Sequence, residues 1–179
     1  MAQRKLILFI AVSLDGYIAG ENHEMDWLFN SEGEGDNGFA KFYSTIDTVL
    51  VGRATYDWIL QHESEDAVYR DKKCYVFTRI ARQKKNHVTF IHEDAADFVR
   101  ELKNKSGKDI WLVGGGELLH VFLKEKLVDE CFITIAPVLL GKGIPLFKGN
   151  DFETRLSLQN ITKYGQMVEL HYKVDARLQ

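Results

Sequence analysis

The chain has 179 residues, 45% hydrophobic and 27% charged, with a formal net charge of -3. These are the proportions of one ordinary globular domain, residues 1–179, built on a single core. They give no reason to expect nucleic acid or a membrane surface as a partner. The first apolar run, Leu6 to Val12, is too short to span a bilayer, and no cleavage pattern follows it, so a cytoplasmic location is expected. The two cysteines, Cys74 and Cys131, lie in separate strand-like runs. No CxxC, HExxH or Cys/His cluster occurs, so the thiols read as buried and reduced and no metal is expected.

In chain order, Lys5 to Ser13 is nearly all apolar and rich in β-formers, as a central strand would be. It runs into a loop, Leu14 to Gly20, whose Asp15-Gly16 pair is a turn signal. Met25 to Leu28 places an aromatic cluster at the end of that loop. Ser31 to Gly38 is acidic and glycine-rich, so it reads as exposed and mobile. Phe39, Phe42, Tyr43 and Ile46 have helical spacing, with Asp36 or Asn37 placed to cap the start.

Thr48 to Val51 reads as a short buried strand. Gly52-Arg53-Ala54-Thr55 then turns into a helix carrying Tyr56, Trp58, Ile59 and Leu60. A cation and a hydroxyl at a helix start suit phosphate oxygens; taken alone, a solvated arginine and a structural cap are the simpler explanation. Lys73 to Thr78 and Val88 to Ile91 read as further strands. A helix follows, opened by Glu93 and Asp94, with Ala95, Phe98, Val99 and Leu102 on one face.

Ile110 to Val113 is again a buried strand. Three glycines follow it, Gly114, Gly115 and Gly116, and Glu117 opens a helix with Leu118, Leu119, Phe122 and Leu123 at core spacing. Glycines allow positive φ and close approach, and a helix start presents free N–H groups to an anion such as a pyrophosphate. The alternative is a tight turn without a ligand. The spacing is neither GxGxxG nor a Walker A loop. Glu130 to Val138 forms a strand that meets Pro137, and Leu139 to Phe147 a glycine-rich loop. Leu156 to Thr162 and Met167 to Val174 form an antiparallel hairpin through Tyr164-Gly165. The pattern predicts an α/β fold with a mixed, mostly parallel sheet flanked by helices and an antiparallel C-terminal hairpin. In such sheets ligands bind beyond the carboxyl ends of the strands.

Four motifs stand in one order: Ser13 to Ala19 (SLDGYIA), Val51 to Tyr56 (VGRATY), Val113 to Glu117 (VGGGE) and Ala136 to Phe147 (APVLLGKGIPLF). In these the chain resembles the dihydrofolate reductase superfamily. It is most similar to stand-alone relatives of the reductase domain at the C-terminus of bifunctional riboflavin-biosynthesis proteins. The resemblance runs from about Leu6 to Val174 and implies about eight strands, NADPH as hydride donor and a homodimer. By position it places Gly52, Arg53 and Thr55 on the cofactor phosphates, and Thr78 and Arg79 near the adenosine ribose, where a cation favours NADPH over NADH. It places Gly114, Gly115, Gly116, Glu117 and Leu118 on the pyrophosphate, with a cis Gly-Gly step. Ala11, Ile18 and Ala19 flank the nicotinamide, and the first loop acts as a lid.

Trp27 and Leu28 are then expected to line the substrate pocket. Asp36 is the candidate to orient or protonate the substrate, with Glu32 as its rival; a helix N-cap explains Asp36 equally well. Asp15 reads as a turn former. Where folate enzymes carry an arginine clamp this chain has Asp71-Lys72-Lys73-Cys74, which disfavours folate. The zinc deaminase motifs of the bifunctional proteins are absent, so only the reduction is expected. The first expectation is thus an NADPH-dependent reductase of the riboflavin-precursor type, acting on a 5-amino-6-(5-phosphoribosylamino)uracil. A dihydrofolate or pteridine reductase, a non-catalytic NADPH-binding module and a cofactor-free dimeric scaffold remain as alternatives.

Overall fold

The computed structural model describes residues 3–62, 69, 71–80, 88–149 and 152–175. Strand β1 (Leu6–Ser13) lies mid-sheet, parallel to β6 (Asp109–Gly114) on one side and to β7 (Glu130–Ala136) on the other. Beyond β6 come β3 (Ile46–Gly52), β4 (Lys73–Phe77) and β5 (Val88–Ile91), each parallel to its neighbour. Beyond β7 the direction reverses. β10 (Met167–Val174) pairs antiparallel with β7, and β9 (Leu156–Tyr164) closes the edge. The eight strands thus run in the order β5-β4-β3-β6-β1-β7-β10-β9, the mixed and mostly parallel sheet that the sequence predicts.

The central strands are continuously apolar because helices cover both faces. On one face α4 (Ala95–Lys103) and α5 (Gly116–Lys124) bury Val99, Leu102, Leu119 and Phe122 against Leu6, Leu8 and Leu112. On the other, α2 (Phe39–Thr45) and α3 (Arg53–His62) bury Phe42 and Tyr56 against Ile7, Val49, Val51 and Trp111. Each such large side chain contributes roughly 1.5–3 kcal/mol by leaving water. Helix α4 starts where the sequence places it, since the Asp94 carboxylate accepts from the Ala96 and Asp97 N–H groups. Burial pushes the Cys74 and Cys131 thiols up to about 12, so both stay protonated and inert.

At the amino ends of the strands, buried Arg4 ties the sheet together. It donates to Asp47, to Thr48 Oγ1 at 2.7 Å and to the Lys108 carbonyl at 2.5 Å. The opposite rim is built from smaller elements. There β2 (Tyr17–Ala19) and β8 (Ile144–Pro145), both expected as loop, form a small antiparallel ladder, and α1 (Asp26–Phe29) is a single turn. The acidic segment 31–38 is exposed as expected, but it is tied down: the Gln166 N–H donates to the Glu32 carbonyl at 2.9 Å. Among the described residues no helix is long and apolar enough to cross a membrane.

Candidate functional site

Strands β3, β6 and β1 are consecutive in the sheet and mutually parallel, so their carboxyl ends leave by one rim. At the end of β6 the chain reverses through Gly114, at φ 150°, and Gly115, at φ 99°, values that side-chain-bearing residues rarely adopt. The third glycine has another reason. A Cβ on Gly116 would meet the carbonyl oxygens of Pro145 at 3.2 Å and Leu146 at 3.4 Å, so β8 needs a bare backbone there. The expected cis Gly-Gly bond is not found: among the described residues every peptide is trans, and the two positive φ angles make the reversal.

The end of β3 has no loop at all. Gly52 closes the strand and Arg53 opens α3. Gly52 lies against the glycine turn, so that a Cβ on it would meet Leu118 Cδ1 at 3.6 Å and the Gly114 carbonyl at 3.7 Å. No side chain caps the start of α5. Its first-turn amides and the positive end of its dipole therefore face the rim.

Between these ends, β2 and α1 lies a mainly apolar cavity of about 380 Å³. Of the residues expected to bind the cofactor, Ala11, Ile18, Ala19, Thr55, Gly114, Gly115, Gly116 and Glu117 line it, as does Leu28 on the expected substrate side. The others stand behind or beside the wall. Gly52 and Leu118 support the glycine turn from behind. The Arg53 Nε donates to Asp57 at 2.6 Å, within its own helix. Thr78 bonds locally, with its Oγ1 accepting from the Ile80 N–H at 3.2 Å. Arg79 is exposed, and its charge reaches Glu117. Trp27 is outside the lining, its indole N–H donating to the Glu24 carbonyl at 3.2 Å.

The two candidate acids do not line the cavity. Asp36 holds the start of α2: its Oδ1 accepts from the Gly38 N–H at 3.0 Å and its Oδ2 from the Ala40 N–H at 2.7 Å. Glu32 is exposed in the acidic segment. The carboxylate that does line the cavity is Glu117, and it pairs with Lys148; that ammonium holds the Glu117 carboxyl below its ordinary range. Lys148, His23, Met25, Trp58 and Ile144 also line the cavity and were not anticipated. They come from three regions far apart in the chain, residues 23–25, 58 and 144–148, with no shared periodicity, so no local pattern marks them. Lys72, at the place of a folate clamp, is already engaged: it pairs with Asp71 at 3.1 Å and lies 4.2 Å over the Tyr43 ring.

The lid expected over the cavity is a latched pair of segments. The Asp15 carboxylate accepts from Ser13 Oγ at 2.6 Å and from the Leu140 and Gly141 N–H groups at 3.2 and 2.7 Å. Leu146 N–H donates to the Gly16 carbonyl at 3.0 Å. Asp15 is therefore more than a turn former; it joins the β1–β2 turn to the loop before β8.

The family known as the RibD C-terminal domain matches residues 4–170. The uncharacterized protein YwjB of Bacillus subtilis (strain 168) is 49% identical over 171 residues, covering 95% of this chain and 98% of YwjB. Among solved structures, a protein assigned to riboflavin biosynthesis from Shewanella sp. PV-4 superposes with a TM-score of 0.85 at 27% identity, over 96% of this chain and 99% of that one. Two others share the fold at lower identity. The diaminohydroxyphosphoribosylaminopyrimidine deaminase/5-amino-6-(5-phosphoribosylamino)uracil reductase of Thermotoga maritima matches with a TM-score of 0.70 at 17% identity, over 97% of this chain and 57% of that one. Dihydrofolate reductase from Enterococcus faecalis, complexed with NADP(H), matches with a TM-score of 0.66 at 16% identity, over 97% and 98%.

Proposed function

The chain belongs to the RibD C-terminal domain family, and from that premise we propose that it is an NADPH-dependent reductase of a 5-amino-6-(5-phosphoribosylamino)uracil, converting the ribosyl group to ribityl. The observation that carries this reading is the single rim on which β3, β6 and β1 end, with the glycine turn and the uncapped start of α5 opening into an apolar cavity.

The residues fit the cofactor. Gly114 to Gly116 carry no side chains, so backbone amides can approach an anion closely, and the α5 dipole favours it. Thr55 Oγ1, within 3.8 Å of where a Gly115 Cβ would stand, supplies a hydroxyl to the same tail. Arg79 lies on the side of Glu117, where a 2′-phosphate gains from a guanidinium. Ala11, Ile18 and Ala19 offer a small apolar wall for a flat ring. Bound there, NADPH supplies the hydride. Leu28 and Met25 exclude water from the far side, and the Asp15 latch keeps the lid in register over it. The reaction belongs in the cytoplasm, where NADPH is available.

A homodimer completes the proposal. The bulge between His171 and Tyr172 sets Leu158 across from Tyr172 and Ile161 across from Leu170, so both fall on one face with Leu156. These three edge-strand side chains are 50%, 58% and 37% exposed and continue the core face formed by Tyr172 and Val174. An unpaired apolar edge strand of this length calls for cover, and a second copy supplies it.

A non-catalytic NADPH-binding module is the second reading. What favours it is that neither Asp36 nor Glu32 lines the cavity. The test is a mixture of purified protein, NADPH and the aminopyrimidine ribosyl phosphate. Substrate-dependent loss of the reduced-nicotinamide absorbance supports the reductase. Turnover of dihydrofolate alone moves the assignment to a pteridine, binding without turnover supports the module, and no NADPH binding overturns both.

A further inference from the structure

A second cavity, also of about 380 Å³, opens on the α2 face of the sheet and shares no lining residue with the cofactor cavity. Its floor is β1, β7, β10 and β9, and α2 forms one wall. We propose that it is a separate binding site for a small planar cation, such as an amidinium or a protonated aminoheterocycle, held by Glu169.

The argument begins with an unmade bond. Glu169 is 7% exposed, it lines this cavity, and its Oε2 is buried with no hydrogen-bond partner among the described residues. A buried carboxylate oxygen left this way opposes folding, and native proteins seldom keep one without a reason. Burial raises its proton affinity, while the charges of His171 and Lys41 nearby pull the other way. The other acids at the cavity are already satisfied. Glu130 accepts from Lys5 at 2.6 Å and faces His171 Nε2 at 2.9 Å, and Asp109 accepts from the Lys5 N–H at 2.9 Å. Glu169 is thus the acceptor that a ligand would complete.

The remaining wall favours a flat ring. Phe9 and Phe42 stack at 4.2 Å and 10°, and Phe132 stacks on His171 at 3.9 Å and 11°. Aromatic faces attract cations and pack against planar groups. A carboxylate set among such rings recognises paired N–H donors better than a compact ammonium. The volume lies within the range of small-molecule sites, roughly 300–1,000 Å³.

The test is calorimetric titration with benzamidine. Saturable binding to the wild type is expected, weakened roughly tenfold or more in Glu169→Gln, which keeps the side-chain volume. Lys41→Ala, which removes a competing cation, should tighten it. NADPH affinity should be unchanged in Glu169→Gln, and NADPH should not displace benzamidine. No saturable binding, equal affinity in Glu169→Gln, or displacement by NADPH would overturn the proposal. Binding seen only after dilution to monomers would also overturn it, by showing that a second copy fills the cavity.

Discussion

Gly52 and Gly115 stand back to back at the ends of adjacent parallel strands: a Cβ on Gly115 would lie 3.8 Å from the Gly52 Cα and 3.8 Å from Thr55 Oγ1. Two strand-to-helix junctions, distant in sequence, therefore form one surface. The site follows from the β3-β6-β1 order, which sets these junctions side by side.

Gly115→Val tests that surface. At φ 99° a β-branched residue carries a backbone strain of about 1–3 kcal/mol, and its branches enter the space above Gly52. A lower melting temperature and a loss of NADPH affinity of roughly tenfold or more are expected, read by thermal melts and calorimetry. Unchanged affinity would remove Gly115 from the site.

Arg79→Ala tests cofactor choice. The guanidinium is exposed and its charge reaches Glu117. NADPH affinity should fall about tenfold, near 1.4 kcal/mol, with NADH almost unaffected. Equal losses for the two would refute its role at the 2′-phosphate.

The latch gives a pH dependence. The Ser13 hydroxyl, then the Gly141 and Leu140 amides, hold the Asp15 carboxyl below its ordinary value. A folded-state value below the unfolded one means that the ionised latch stabilises the lid at neutral pH. That contribution declines as pH falls from the ordinary carboxylate value of about 3.9 through the lowered one. Asp15→Asn should make the 139–143 loop more sensitive to proteolysis at neutral pH and bring it close to the wild type in acid. A constant difference at every pH would deny the latch an ionic part.

Much of this is legible in the sequence. The apolar runs of β1, β3 and β6 mark buried parallel strands, and the glycines that end β3 and β6 mark turns into helices. The lid was less legible. β2 and β8 pair across more than a hundred residues, and Ile144-Pro145 has no periodicity to announce a strand. The ion pair of Glu117 with Lys148 is hidden for the same reason. The cis expectation came by resemblance, whereas φ angles of 150° and 99° turn this chain with trans bonds. The capping of α2 shows the limit of local reading: Asp36 does serve the helix start, but through the Gly38 and Ala40 amides, with Gly38 itself as the cap residue.

Asp36 can be tested on both roles. As a cap, its replacement by alanine should cost about 1 kcal/mol of stability. If capping is its whole role, Asp36→Asn should keep the turnover number and its pH profile. A collapse of turnover in Asp36→Asn with an unchanged melting temperature would instead restore it as the proton donor. Glu32→Gln serves as the parallel control.

Ile161→Lys tests the edge strand. A charge set among Leu156, Leu158 and Ile161 should shift sedimentation from dimer to monomer without lowering the melting temperature of the monomer. A variant that remains dimeric would place the interface elsewhere.

The most direct measurement is diffraction from a crystal soaked in NADPH. The pyrophosphate is expected within hydrogen-bond distance of the Gly115 to Leu118 amides, with the nicotinamide against Ala11 and Ala19. A nucleotide bound away from the ends of β3, β6 and β1, with the glycine turn untouched, would contradict the account.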